Sequence, residues 1–290
     1  MNGKRKNYIE TRTHTASFPN SVVFPGGVCE AADADERHVA LRITAIRETF
    51  EELGLLICSK EHKNNRKNVW ASLISDIDIK EWQSRVSKNP ADLLVLCKEY
   101  NCYPDIWSLH YWSNWLTPIS QPKRFDTAFF ISGLETKQTT VTSDGEVVNV
   151  EWFTPTEVLE KSVKKELLLY PPQAYELKRL SYLPNINELL TFSKNRSCQG
   201  NELLYPIVVK AKDGLLQLLP GDHLYPSHVN YYTNTVIETD KTILELRENN
   251  QPLHRIEVTK SGRQFVINNY KPENHINMNN IVIPFPLITV

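Results

Sequence analysis

The stretch Phe24–Leu55, FPGGVCEAADADERHVALRITAIRETFEELGL, decides the fold of this chain. Its second half predicts an amphipathic helix from about Glu36 to Leu53, followed by Gly54, which can take the left-handed conformation that ends a helix. The predicted helix has an apolar stripe with helical spacing. The stripe consists of Val39, Ile43, Ile46, Phe50 and Leu53.

The opposite face of this predicted helix is acidic. Glu48, Glu51 and Glu52 stand at i, i+3 and i+4, so they share one face about one turn apart. Crowded carboxylates repel one another, and a hard divalent cation such as Mg²⁺ or Mn²⁺ relieves the repulsion. Arg47 precedes Glu51 by four residues, which predicts a hydrogen bond that orients the Glu51 carboxylate. The alternative is an ordinary solvated helix face.

The sequence before the helix contains two consecutive glycines. Gly26 and Gly27 allow the backbone to turn sharply and to approach a ligand closely, so both are candidate substrate-binding residues. A plain turn is the alternative. A later candidate for phosphate binding is Arg124, because a guanidinium can bind phosphate through two hydrogen bonds. For Arg124 the alternative is an ion pair with Asp126.

The pattern R-E-x-x-E-E-x-G at 47–54, after FPGG at 24–27, resembles the Nudix hydrolase box, G-x5-E-x7-R-E-U-x-E-E-x-G-U. In that superfamily the helix glutamates hold metal ions that bind a diphosphate. Here 19 residues separate Gly27 from Arg47, more than the pattern has. The first glutamate of the box therefore has no clean counterpart. Asp33 lies at its distance from Gly27, and Glu36 is the next acidic residue.

The interrupted box is similar to that of the coenzyme A diphosphatase-like branch, called Nudix motif 19. Four further segments resemble the same branch. They are WSNWLTP at 112–118, RFDTAFF at 124–130, YPPQAYELKRL at 170–180 and LLPGDHLY at 218–225.

The resemblance implies an α/β protein with the Nudix α/β/α sandwich and a mixed sheet. Residues 1–195 are expected to form the Nudix domain, with a helical insertion at about 69–104, and residues 196–290 a β-rich extension. In the insertion, the helical spacing of Trp70, Leu73, Ile74 and Ile77 predicts a helix, and Pro90–Asp92 starts another. Further helices are expected at 154–165, 171–182 and 185–193. Strands are expected at 127–131 (buried) and 146–153, and hairpin turns at 212–214 and 260–263.

Tyr8–Arg12 reads as a weak edge strand. The resemblance implies a further apolar strand upstream, and this chain begins too late to include it. An exposed sheet edge is therefore expected, and because such edges favour association, so is a homodimer.

Composition excludes several classes of protein. The chain of 290 residues is 41% hydrophobic and 23% charged, which is typical of a globular protein. Its net charge of −1 does not provide the positive charge that binding to nucleic acid or an anionic membrane needs. No apolar run reaches the length of a membrane span. Five scattered cysteines show no metal-ligand spacing and are expected to be reduced thiols. The protein is expected inside the cell, in a peroxisome, a mitochondrion or the cytosol. Its last residues, Ile288–Val290, are not a peroxisomal Ser-Lys-Leu signal.

The expected function is Mg²⁺-dependent hydrolysis of a small-molecule nucleotide at its diphosphate. The resemblance implies coenzyme A or acyl-CoA, with 3′,5′-ADP and phosphopantetheine as products. Glu52 is the first candidate for general base and Glu146 the second, with Arg47 supporting the site. The alternatives are hydrolysis of NADH, ADP-sugars or capped RNA, and a Nudix-fold binding module that has lost catalysis.

Overall fold

The computed structural model of the chain describes residues 7–12, 21–29, 36–61, 69–142, 147–200, 202–233, 235–247 and 250–285, with backbone alone for 7–12, 147 and 148. The chain divides into two compact units. Unit 1 contains Met1–Tyr111, Phe130–Pro155 and Leu183–Ser197, and unit 2 contains Trp112–Phe129, Thr156–Tyr182 and Cys198–Val290. The expected domain boundary at 195 stays a prediction.

The helices are α1 (Arg37–Leu53), α2 (Ile79–Lys88), α3 (Asp92–Glu99), α4 (Pro155–Val163), α5 (Pro171–Ser181) and α6 (Ile186–Ser197). The strands up to α4 are β1 (Asn7–Arg12), β2 (Val22–Val23), β3 (Cys58–Ser59), β4 (Tyr103–Pro104), β5 (His110–Leu116), β6 (Asp126–Ile131) and β7 (Val147–Phe153). The later strands are β8 (Leu203–Leu204), β9 (Ile207–Ala211), β10 (Gly214–Leu218), β11 (Val236–Glu238), β12 (Leu253–Thr259), β13 (Gly262–Asn268) and β14 (Ile281–Phe285).

Helix α1 confirms the prediction made from its apolar stripe. Ile46, Phe50 and Leu53 are completely buried. Gly54 ends the helix with a φ of 69°, and its N–H donates to the Phe50 carbonyl at 2.8 Å. On the following helix, Gln83 donates from Nε2 to the carbonyl oxygens of Phe50 and Glu51, both at 3.1 Å. The acidic helix is therefore fixed by its apolar face and by its last turn.

Two predictions for unit 1 are wrong. Strand β1 is not an edge strand, because it pairs antiparallel with β2 on one side and β7 on the other. Residues 69–78 do not form a helix. The backbone N–H of Ala71 donates to Gly133 and that of Ile74 to Leu56, at 2.8 and 3.1 Å, so this segment bonds to distant chain instead of to itself. The helices of the insertion, α2 and α3, follow it.

Unit 2 contains a six-stranded sheet in the order β11-β9-β10-β12-β13-β14. Strand β11 is parallel to β9 and the other neighbours are antiparallel, so the sheet is mixed. Both expected hairpins are present, joining β9 to β10 and β12 to β13. Strand β6 forms as expected. It is less buried than predicted, however, because Asp126 and Thr127 are exposed and the rest of the strand is half-buried.

Polar side chains in unit 2 form a continuous buried network. Glu176 on α5 accepts hydrogen bonds from the indoles of Trp112 and Trp115 at 2.8 and 2.9 Å. Arg179 Nη1 donates to Glu176 at 3.3 Å, and its Nη2 donates to the Tyr175 hydroxyl at 3.0 Å. Three of the family-like segments, at 112–118, 170–180 and 218–225, supply this network and its continuation. Their side chains therefore hold unit 2 together.

The network continues into the sheet through a histidine. The Tyr175 hydroxyl lies 2.8 Å from His254 Nε2, and His254 Nδ1 lies 2.6 Å from the Pro220 carbonyl oxygen. Burial lowers the pKa of His254 to about 4, so the ring is neutral near pH 7. Because a neutral imidazole carries one donor and one acceptor, it can donate to Pro220 and accept from Tyr175.

A buried ion pair lies beside this histidine. Asp222 accepts from Arg255 Nε and Nη2, both at 2.6 Å, and also from the backbone N–H of His254 and Leu224. Both charged side chains are completely buried. The carboxylate therefore has four described donors, which is the condition under which a buried charge is tolerated.

We expect Asp222→Asn to destabilise the protein by about 3–5 kcal/mol, because it leaves the Arg255 guanidinium buried without its counter-charge. The matched control is Glu238→Gln, which breaks the exposed Lys210–Glu238 pair at 2.9 Å and should cost less than about 1 kcal/mol. Urea denaturation followed by fluorescence measures both. Equal losses for the two variants would contradict the structural role assigned to Asp222.

Candidate active site

Arg47 fixes the acidic face of α1. Its side chain is 3% exposed, and its Nη1 donates to Glu48 Oε1 and to Glu51 Oε1, each at 2.9 Å. Its Nη2 donates to the Val28 carbonyl oxygen at 2.9 Å. The bond to Glu51 is the one that the spacing predicts, whereas the bonds to Glu48 and Val28 were not anticipated. One guanidinium thus holds two carboxylates and the loop that follows the glycines.

The two glycines contact the carboxylates directly. A Cβ added to Gly27 would lie 2.3 Å from Glu48 Cδ and Oε1, so this backbone comes closer than any side chain allows. The Gly26 N–H donates to Glu52 Oε2 at 3.0 Å, and Gly26 has a φ of 156°. The glycines therefore place the loop backbone against Glu48 and Glu52. Binding of a phosphate at this position stays a prediction.

The three carboxylates form a donor set that suits a hard divalent cation. Glu48 and Glu51 are each 15% exposed, and Glu52 is 5% exposed. All their ligand atoms are oxygens, which Mg²⁺ and Mn²⁺ prefer. Arg47 is the guanidinium that the described contacts place against two of them, Glu48 and Glu51. The close packing of Gly27 against Glu48 keeps side-chain bulk away from that carboxylate. The chemistry of these side chains therefore fits a divalent metal ion, and binding of one ion by all three carboxylates stays a prediction.

The other predicted site residues are less informative. Asp33 and Glu146 lie outside the described residues. Glu36 is exposed and immediately precedes α1. Arg124, in unit 2, donates from Nε to the Thr117 carbonyl oxygen at 3.0 Å and from Nη2 to the Tyr231 carbonyl oxygen at 2.6 Å. Asp126 accepts a hydrogen bond from Asn114 at 2.9 Å. These contacts do not include the ion pair with Asp126, and phosphate binding by Arg124 stays a prediction.

Comparison with known proteins identifies the family of the chain. Residues 35–180 match the model of the NUDT19 Nudix domain, and residues 208–267 match that of the NUDT19 C-terminal domain. The Xenopus laevis protein named acyl-coenzyme A diphosphatase NUDT19 is 41% identical over 249 residues, and its Gallus gallus counterpart is 33% identical over 326 aligned residues.

The chain belongs to the NUDT19 family of Nudix hydrolases.

The matches cover 82% and 93% of this chain for the frog and chicken relatives. In turn, the chain spans just under two thirds of the frog protein, 65%, and 86% of the chicken protein. These matches confirm the branch that the interrupted box and the downstream segments indicated. Nudix hydrolases generally use divalent metal ions, which agrees with the donor set on α1.

A solved structure supports the fold. The crystal structure of a Nudix hydrolase from Alicyclobacillus acidocaldarius matches with a TM-score of 0.54 and 25% identity, over 64% of this chain and 87% of that one. The predicted α/β fold class is confirmed, with mixed sheets, a helical insertion and a β-rich C-terminal region. In the described residues, no helix is long and apolar enough to span a bilayer.

The contact between Gly27 and Glu48 can be tested without an activity assay. We expect Gly27→Ala to destabilise the protein by about 1–3 kcal/mol, because the new Cβ must displace the Glu48 carboxylate. In a Glu48→Ala background the carboxylate is absent, so the same change should cost less than half as much. Urea denaturation of the four proteins of this double-mutant cycle measures the coupling. Equal costs in both backgrounds would show that the two residues do not meet.

Proposed function

We propose that this chain is a Mg²⁺-dependent diphosphatase that hydrolyses coenzyme A or acyl-CoA to 3′,5′-ADP and 4′-phosphopantetheine or its acyl form. The observation that carries the proposal is the buried Arg47 guanidinium, which holds Glu48 and Glu51 beside the Gly26–Gly27 backbone. The substrate class is supported by the relatives named acyl-coenzyme A diphosphatase, 41% and 33% identical to this chain.

Glu48, Glu51 and Glu52 are the residues that would hold the metal ion. When bound, a divalent cation neutralises the diphosphate and polarises its phosphorus–oxygen bonds, which favours attack by water. The chain itself positions the carboxylates. Arg47 fixes Glu48 and Glu51 from one side, and the Gly26 N–H fixes Glu52. Because these carboxylates are already in position, the site needs little rearrangement during the reaction.

Glu52 is the proposed general base, with Glu146 as the second candidate. Glu52 is almost buried, and its Oε2 accepts from Gly26 N–H, which directs the carboxylate toward the glycine loop. A carboxylate oxygen has more than one lone pair, so this bond leaves capacity to accept a proton from water. In the proposed reaction, water loses a proton to Glu52 as its oxygen bonds to phosphorus, and the other phosphate leaves with the bridging oxygen.

The substrate prediction is tested with a panel of coenzyme A, an acyl-CoA, NADH, ADP-ribose and capped RNA. We expect coenzyme A or the acyl-CoA to give the highest kcat/KM and EDTA to abolish turnover. Chromatography of the nucleotide products measures both. Faster turnover of NADH, ADP-ribose or capped RNA would replace the proposed substrate. Undiminished turnover after exhaustive EDTA treatment would exclude the metal site, and no turnover of any substrate would favour the binding module.

The roles of the glutamates are tested by a Mg²⁺ titration of activity for Glu48→Gln, Glu51→Gln, Glu52→Gln and Glu146→Gln. Loss of a metal ligand should raise the Mg²⁺ concentration needed for half-maximal activity, since the amide carries no charge. Loss of the general base should lower kcat by about 10²–10⁴ with nearly unchanged Mg²⁺ dependence.

For Glu52→Gln we expect both effects, because Glu52 is the proposed base and also a proposed ligand: kcat should fall by about 10²–10⁴ even at saturating Mg²⁺, and the Mg²⁺ concentration for half-maximal activity should rise. The matched control is Glu160→Gln on α4, an exposed glutamate that should behave as wild type. If all four site variants keep near-native turnover at saturating Mg²⁺, the site is misplaced. If only Glu146→Gln loses turnover with unchanged Mg²⁺ dependence, Glu146 is the base.

A further inference from the structure

Three of the five scattered cysteines meet inside unit 1. Cys58 lies in β3, Cys97 in the last turn of α3, and Cys102 just after that helix. All three are buried, at 0%, 6% and 8% exposure. Their sulfur atoms lie within 4.8 Å of one another, and those of Cys58 and Cys97 are 3.9 Å apart. The proposed reaction uses none of them.

The distance between the Cys58 and Cys97 sulfurs matches that of two ligands around one ion, and the third sulfur lies within 4.8 Å of both. Metal–sulfur bonds of about 2.3 Å place the sulfurs of a shared ion about 3.8 Å apart in tetrahedral geometry and about 4.0 Å apart in trigonal planar geometry. The distance of 3.9 Å between Cys58 and Cys97 falls between these values. A disulfide needs about 2.05 Å, so the observed geometry is closer to a metal site than to a disulfide.

The surroundings select soft cations. The cluster lies in an apolar core with Phe50, Leu56, Trp82, Leu93 and Leu96. Thiolates are soft ligands that suit Cu(I) and Zn²⁺ and do not suit Mg²⁺. In the described part of the chain, no carboxylate or imidazole joins the three thiols within the same 4.8 Å. Among the residues that the structure describes, the donor set is therefore purely sulfur.

Cysteine binds metal ions as its thiolate. Anions in an apolar core are costly unless a cation neutralises them, so the thiols would lose their protons together with binding of the cation.

We propose that Cys58, Cys97 and Cys102 together bind one thiophilic d¹⁰ cation, Cu(I) or Zn²⁺, in a site separate from the glutamates of α1. Cys58 belongs to the strand that follows α1, and Cys97 and Cys102 lie in the helical insertion on either side of the end of α3. A bound ion would join the insertion covalently to that strand. Because it binds the folded state, it would raise the stability of unit 1 without entering the reaction.

The test is a titration of the reduced full chain with Cu(I) alone and with Zn²⁺ alone, each against a chromophoric competitor. We expect about one ion per chain and a thermal midpoint that rises on binding. X-ray absorption should show three sulfur neighbours at about 2.3 Å. Cys102→Ser, at the most exposed of the three positions, should weaken binding by roughly 100-fold or more, since even indirect supporting partners contribute about 10–100-fold.

The matched controls are Cys29→Ser and Cys198→Ser, which replace the two exposed cysteines and should keep full binding. Circular dichroism shows whether each variant is folded, and Cys97→Ser provides a second variant if Cys102→Ser is not. The proposal is overturned if neither ion binds the wild type more tightly than the folded serine variant, or if the absorption spectrum lacks three sulfurs. The thiols would then be apolar packing groups of the core.

Discussion

The buried guanidinium of Arg47 fixes the acidic face of α1 relative to the glycine loop. Arg47 reaches two carboxylates on its own helix and the carbonyl of Val28 in the loop, all at 2.9 Å. These three acceptors require a planar donor group with several N–H bonds. A lysine ammonium has the charge but lacks the planar fork that spans them. The arginine of the box therefore connects the helix to the loop at Val28, next to Gly27, whose backbone packs against Glu48.

The sequence predicts those features of the site that follow from helix geometry alone. The spacing of Glu48, Glu51 and Glu52 and the bond from Arg47 to Glu51 follow from helix geometry, which needs no knowledge of the rest of the chain. The bond from Arg47 to Val28 spans 19 residues, and that from Gly26 to Glu52 spans 26. Contacts over such sequence separations depend on tertiary packing, which a helical pattern does not encode. A sequence pattern could indicate that glycines were needed and could not show which carboxylate they face.

The two wrong predictions for unit 1, a helix at 69–78 and an edge position for β1, also concern contacts between distant parts of the chain. Trp70 and Ile74 have the spacing of a helix face, but spacing records only which residues are apolar. Ile74 forms a β-bridge with Leu56, and Trp70 forms one with Gly133. These long-range backbone bonds compete with helix formation. Strand β1 has a polar composition typical of an edge, yet both of its edges are paired. Pairing partners of a strand are set by topology, to which its own sequence contributes little.

Two of the buried arginines, Arg47 and Arg255, have different arrangements of carboxylates around them. In unit 2, Asp222 and Arg255 match one carboxylate with one guanidinium, and backbone N–H groups occupy the remaining acceptor positions of the carboxylate. A buried pair of this kind, with the remaining lone pairs of its carboxylate satisfied, can belong to the fold. In unit 1, a single guanidinium nitrogen of Arg47 donates to both Glu48 and Glu51, and the Gly26 N–H donates to Glu52 on the same helix. Carboxylates crowded on one helix face repel one another, and a hard divalent cation relieves that repulsion. Arg255 therefore completes a pair within a sheet, whereas Arg47 orients carboxylates toward the place where the proposed metal ion would bind.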